Sequence, residues 1–259
     1  MIIDELIEFP IQCKISRTIS KKDIYEVANL KNKDQSNFSI IKQIKICYNF
    51  NEENIRISPY KTNERDYDEV QVININLKED KIKKINLQES KIEKKLNKAV
   101  EIILRSIPYP IILSMQYKNY IRFFGSHIKE SKSDLSKITL DEVISTKWID
   151  SNSLGELELD FIDKIQINNL NFNNFYSFYD SYITAIIQYD GSITVGSKVN
   201  KSPEEIQEVY RQIDLIDKKI KKLEKKLNEE TQFNKQLELN IELDDLDNQK
   251  EKLEEQLRC

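Results

Sequence analysis

The stretch LQESKIEKKLNKAVEIILRSIPYPIILSMQYKNYIRFF, residues 87–124, decides the fold. Ile92, Leu96, Val100, Ile103 and Ile107 recur every three or four residues, so they share one face of a helix. Lys91, Lys94, Lys95 and Lys98 fall on other faces and stay in water. Pro108 and Pro110 then forbid further helix, because proline lacks the amide donor and restricts the residue before it. Ile111, Ile112, Leu113 and Met115 follow as a strand. Tyr117, Lys118 and Asn119 turn it back into a second strand, residues 120–124. A helix with one apolar face, beside a strand apolar on both faces, packs on a sheet. This unit is expected at the centre of the core, and it carries no chemistry of its own.

Upstream, Ser20 is placed to cap a short helix over residues 21–30. Residues 34–43 read as a second helix with Phe38 and Ile41 inward. Residues 44–50 and 55–58 read as strands flanking a hairpin turn at residues 51–54. Residues 59–68 are polar and loop-like. Residues 70–77 form a strand with Ile73, Ile75 and Leu77 on one face and Asn74 and Asn76 on the other. Downstream, residues 126–138 read as a loose excursion and residues 143–149 as a strand holding Trp148, the single tryptophan. Leu157 and Leu159 alternate with Glu156, Glu158 and Asp160, a strand pattern with one acidic face. Residues 171–189 read as a helix closed by Asp190 and Gly191.

Ser202, Pro203 and Glu205 then open a long helix: a cap, a proline in the first turn, and a glutamate that reaches back to the cap. No Gly or Pro follows as far as Leu257. Ile206, Val209, Ile213, Ile216, Ile220, Leu223 and Leu227 keep a three–four spacing. The phase slips over residues 228–235 and resumes with Leu237, Leu239, Leu243, Leu246, Leu253 and Leu257. The first limb ends rich in lysine, from Lys218 to Lys226, and the second begins rich in acid, from Glu238 to Asp247. Folding back near Thr231 would set those charges side by side, with Leu227 beside Leu237, so an antiparallel helical hairpin is expected over a dimeric coiled coil.

The chain has 259 residues, 39% hydrophobic and 32% charged, which suits one domain plus a helical extension. A net charge of -4 weighs against bulk electrostatic binding of nucleic acid. Cys13, Cys47 and Cys259 are isolated and odd in number, which argues against a disulfide framework and for a reducing, cytoplasmic setting. The N-terminus is acidic where a signal peptide would be basic, and no apolar run reaches the roughly 18–20 residues of a membrane span.

Chemistry-bearing patterns are few. Residues 191–198 hold two glycines and a lysine as a phosphate-binding loop does, but Ser197 and Lys198 are swapped and the stretch follows a helix. Asp66, Asp68, Glu69 and Lys78 bracket the strand at 70–77 as acids and a lysine do in metal-dependent nucleases. The acid-x-Lys ending is replaced by Asn76-Leu77-Lys78, and a neutral amide is a poor balance for a cation. Glu156, Glu158 and Asp160 would line one strand face. His127 is the one histidine and nothing adjacent in sequence marks it as catalytic. Trp148 and the aromatic residues of 172–189 read as core before they read as a base-stacking surface.

Several segments together resemble a bacterial family catalogued as domain of unknown function 4391. They are Ile19-Ser20-Lys21 before Ile24 and Tyr25, Phe38 leading into Ile44, and Glu69-Val70 with Val72, Ile75 and Leu77. Ile107-Pro108-Tyr109, Thr146 with Trp148, and the run from Glu230 through Gln232, Phe233, Asn234, Leu237, Glu238, Leu239 and Asn240 complete the set. The family tends to show Pro at the position of Ser20. The resemblance implies a setting beside helicases and DNA methyltransferases in restriction-like phage-defence loci; it implies no catalytic residues.

The expected architecture is α+β: a mixed or antiparallel sheet packed with helices in residues 1–200, and a coiled-coil-like hairpin in residues 201–259. The expected role is a non-catalytic accessory subunit without a cofactor, docking onto a helicase or DNA methyltransferase through Ile213, Ile220, Leu243, Leu246 and Leu253, with any DNA contact indirect. A divergent nuclease using Asp66, Asp68, Glu69 and Lys78 is the first alternative. A DNA-binding module is the second, and the C-terminal helices are where the chain would form oligomers.

Overall fold

The computed structural model describes residues 1–79, 91–130 and 138–258. The chain forms two compact units, Met1–Ile186 and Ile187–Cys259. In the first, a seven-stranded mixed sheet has the order β1-β2-β5-β6-β7-β10, with β11 also on β7. Strands β1 (Lys14–Ile19), β2 (Ile41–Asn51) and β5 (Glu69–Leu77) run antiparallel in succession. Helix α5 (Lys91–Ser106) then carries the chain over to β6 (Ile111–Tyr117), which lies parallel to β5 with Gln71 opposite Ile111. Strand β7 (Tyr120–Gly125) returns as a hairpin with Tyr117 opposite Tyr120. The two-residue strands β10 (Ile144–Ser145) and β11 (Ile149–Asp150) pair with its far side.

This is the helix–strand–strand unit that the stretch at 87–124 predicts, with residues 87–90 outside those described. Leu96, Val100 and Ile103 are buried in one cluster with Ile73, Ile75, Leu77, Leu113, Met115 and Phe124, and Ile92 and Ile107 pack at its edge. The sheet is covered on its other face too. Phe123 points away from Phe124, as strand alternation requires, and meets Phe161 of α6 (Glu156–Lys164) with ring centroids 5.5 Å apart. Phe50 meets Phe178 of α7 (Phe175–Val195) at 5.6 Å. Gly125 is small for a reason: a Cβ there would come within 2.6 Å of the Ile183 side chain on α7.

That second cover explains why Asn74 is fully buried rather than wet. It accepts from the Ser114 hydroxyl at 2.9 Å and donates to Asn76 at 3.1 Å, so both amide groups are satisfied.

Five local expectations are corrected. Residues 34–43 are not one helix: a single turn, α3 (Asn32–Gln35), and a 3-10 turn lead straight into β2. The hairpin expected at residues 51–54 is a short helix, α4 (Glu52–Ile55), capped by Asn51, and β2 pairs with β1 and β5 instead. Residues 143–149 contribute two short bridges, not one strand. Residues 156–160 are helical: Gly155 donates its amide to Glu158 at 3.0 Å, a cap that the alternation of Leu and Glu hid. Helix α7 runs through Asp190 and Gly191 to Val195, where Gly196, at φ 70°, ends it.

The second unit holds the last turns of α7, helix α8 (Pro203–Glu229) and helix α9 (Phe233–Arg258). Ser202 and Glu205 form the expected capping box, with the Ser202 hydroxyl accepting from the Glu205 amide at 3.3 Å. α8 and α9 pack antiparallel over Ile216, Leu223 and Leu246, with Ile220, Leu239, Leu243 and Leu253 at the margin, and Lys250 reaches back to Asp217 at 2.7 Å. The division between the compact units falls inside α7, between residues 186 and 187.

Candidate functional site

The sheet and α7 bring one polar cluster together around His127. The hairpin of β3 (Tyr60–Lys61) and β4 (Asp66–Tyr67) supplies Tyr67, and the segment before β8 (Ile128–Glu130) supplies His127. His127 Nε2 lies 3.1 Å from an Asp180 carboxylate oxygen and its Nδ1 lies 3.0 Å from the Tyr67 hydroxyl. With the carboxylate accepting from Nε2–H, the network assigns Nδ1 as acceptor and the Tyr67 hydroxyl as donor. Tyr176 stacks on the imidazole at 5.0 Å and against Tyr60 at 4.9 Å. Arg65 donates to Asp141 at 2.6 Å and to the Ile128 carbonyl at 2.7 Å, and Lys129 joins Asp141 at 2.9 Å.

An Asp–His–Tyr chain has the order of a proton relay, but the geometry makes it a pin. Tyr67 is fully buried. Its oxygen also receives the Ile128 amide at 3.1 Å and Arg65 at 3.3 Å, which fills its hydrogen-bonding capacity. Burial pushes its phenol up to about 12, against smaller lowering from the Ile128 backbone and Arg65. A nucleophile or base needs the opposite shift and an open side. The cluster therefore ties two hairpins to α7. Its members lie 53 and 60 residues from His127 in sequence, so no local spacing announced it.

The nuclease arrangement is not formed. Asp66 pairs with Lys61 across its own hairpin, Asp68 is exposed, and Glu69 accepts from Gln71 at 2.8 Å and Asn49 at 3.2 Å. Lys78 follows the opposite end of β5, nine residues on and about 30 Å away along an extended strand. No single ion can touch both ends. The charge that Lys78 influences is Lys21, whose ammonium is lowered first by burial and then by Lys78. Lys21 itself caps the Phe38 and Ile41 carbonyls at 2.9 and 2.5 Å, a structural tie at the start of β2.

Among the described residues no group of three His, Cys, Asp or Glu side chains is placed to hold a metal. Glu156 and Asp160, four residues apart, share one face of α6, Glu158 lies on another and caps Gly155, and Asp160 pairs with Lys164 at 3.0 Å. Residues 191–195 of the phosphate-loop-like stretch are helical. Trp148 packs at the edge of the α5 core.

In the hairpin, Ile220, Leu243, Leu246 and Leu253 lie in the seam between α8 and α9, and Ile213 is buried. These are the residues that the sequence nominates for docking; in the closed hairpin they face its own helices. Exposed apolar surface lies elsewhere. Phe233, Leu237 and Ile241 are 76%, 53% and 55% exposed. They recur every four residues, so they form one stripe, and Leu239 and Leu243 point roughly the opposite way, into the seam. Leu237 thus does not sit against Leu227. The stripe starts at the tip, where the Glu230 carboxylate accepts the Thr231 and Gln232 amides at 2.9 Å and closes the turn. The family model for Domain of unknown function (DUF4391) matches residues 7–249.

The chain belongs to the DUF4391 family. The match takes in both compact units, including the tip and the exposed stripe of α9. No curated protein and no solved structure matches the chain. No helix among the described residues is long and apolar enough to cross a membrane.

Proposed function

We propose that this DUF4391 protein is a non-catalytic accessory subunit that docks onto a helicase or DNA methyltransferase of a DNA-targeting defence complex. The C-terminal hairpin is the handle. The observation that carries this reading is the stripe of Phe233, Leu237 and Ile241, three large apolar side chains in a row facing water on a helix whose other face is already packed. Contiguous apolar surface of this kind marks an interaction site, whereas apolar residues scattered singly need no explanation. The body supports the reading in a second way: the Tyr67 oxygen at the heart of the His127 cluster is filled by hydrogen bonds within the chain. The partner class comes from the family resemblance.

Co-expression with the helicase or methyltransferase encoded alongside tests it. The wild-type chain should retain the partner through purification. A chain carrying Phe233→Ser, Leu237→Ser and Ile241→Ser should lose it while keeping its helical content. Retention by that variant would contradict the proposal.

A further inference from the structure

We infer that the exposed margin of β1 and β2 binds a single nucleic-acid strand through its phosphates. This contact lies outside the docking reading above, which concerns α9, and gives the body a partner of its own. The chain as a whole carries 44 acidic residues against 40 Lys and Arg, yet residues 11–22 and 35–51 hold six cations and no Asp or Glu. Those two segments contain β1 and β2, which pair antiparallel, with β1 at the edge of the sheet. A net charge taken over the whole chain hides this margin.

The register gathers four of the six cations. Lys14 lies opposite Tyr48 and Thr18 opposite Lys45, and residues directly opposite share a sheet face. It is the face that carries Asn74, which lies opposite Lys45 on β5. The cover of that face stops short of the edge: Lys14, Thr18 and Gln43 are exposed and Lys45 is half-buried. At the end of the two strands, Lys21 and Lys42 line a groove of about 400 Å³ together with Thr18 and Gln43, and no acid lines it. The Lys21 ammonium gives two of its three hydrogens to the Phe38 and Ile41 carbonyls, which fixes it in place and leaves the third. No carboxylate is among the groups that act on that ammonium. Of the other two cations, Arg17 faces the opposite way, beside Ile46, and Lys22 pairs with Glu26 at 3.8 Å.

The chain does not neutralise these lysines. Among the described residues Lys14, Lys42 and Lys45 make no ion pair. Asp4 reaches β2, but its carboxylate is taken up by the Tyr48 hydroxyl at 2.7 Å and the terminal ammonium at 3.5 Å. Asp23 is held at the Ser20 amide, where it caps helix α2 (Lys21–Val27). The occupant follows from what stands beside the lysines. Thr18 and Gln43 are groups that donate to phosphate oxygens. Ile15 is the one large apolar side chain exposed on the two strands, too little to anchor a protein interface. With no exposed ring on either strand to stack a base, the contact reads the backbone and not the sequence.

Fluorescence anisotropy of the full chain with a labelled single-stranded DNA of mixed sequence, about 15 nucleotides long, tests this. The DNA should bind, and log affinity should fall against log salt with a slope of roughly −2, as three phosphate contacts on a single strand require. Lys42→Gln with Lys45→Gln should weaken binding at least about tenfold and flatten the slope to roughly −1. Lys14→Gln, on the neighbouring strand, should flatten it by about 0.7, so the result does not hang on one variant folding. Lys219→Gln with Lys222→Gln, on the lysine-rich limb of α8, should change nothing. Binding lost in the α8 variant and kept in the strand variants would overturn the inference by moving the contact to the hairpin. A glutamate peptide of equal charge that competes as well as the DNA would overturn it by making the partner an acidic protein. A mononucleotide that competes at equal phosphate concentration would overturn it by making the groove a site for free phosphate. No binding by a folded chain at about 50 mM salt would overturn it too. None of these outcomes bears on the α9 stripe, which co-purification judges.

Discussion

The Tyr67 hydroxyl carries four polar neighbours on one atom, His127 Nδ1, Arg65 and both the amide and the carbonyl of Ile128, and removing it separates a structural from a catalytic role. Tyr67→Phe strands the buried Ile128 amide and the His127 ring nitrogen, so it should cost about 1–3 kcal/mol in a denaturant titration. Asp141 gives a pH test of the same cluster. Burial alone would raise its carboxyl, but the hydrogen bonds and charges of Arg65 and Lys129 outweigh that and hold it below its usual value. A carboxylate depressed in the folded state stabilises fully above its unfolded value, near 4, and that contribution drains away as pH falls through the lower folded value. Asp141→Asn should therefore lower the melting temperature near neutral pH, and the two proteins should converge in strong acid. A constant gap at all pH values would mean the pair stabilises by shape and not by charge. The sequence offered His127 and Arg65 as isolated letters. What makes them a cluster is contact between segments 53–76 residues apart, which no local spacing encodes.

Elements were legible where a single period governed the pattern. Helix α5 and the β6–β7 hairpin follow from one apolar stripe and two prolines, and α8 from its capping box. Residues 156–160 were misread because alternating Leu and Glu satisfies a strand and the first turn of an acidic helix equally; the Gly155 cap decides it. The phase slip at residues 228–235 has a physical cause as well. It is the turn of the hairpin, followed by a helix with apolar residues on two sides. Those two sides should answer differently to truncation. Leu246→Ala removes a buried seam residue and should cost about 2–5 kcal/mol of hairpin stability. Leu237→Ala removes an exposed one and should change stability by no more than about 0.5 kcal/mol. Thermal melts of the two variants make the comparison, and similar losses would mean that Leu237 is part of the packing.

At the scale of the whole molecule, the family match runs through both compact units, so body and hairpin belong to one inherited design. The α+β architecture was readable because a sheet covered on both faces needs apolar strands, and these are plain in the sequence. The docking face was not, because seam and stripe leucines on α9 look alike until a partner helix claims one side. Hydrogen–deuterium exchange on the chain alone and in complex with its helicase or methyltransferase tests the docking claim most directly. Added protection should fall on residues 233–245 of α9 and leave β5, β6 and β7 unchanged. Protection on the sheet, with α9 exchanging as it does in the free protein, would contradict it.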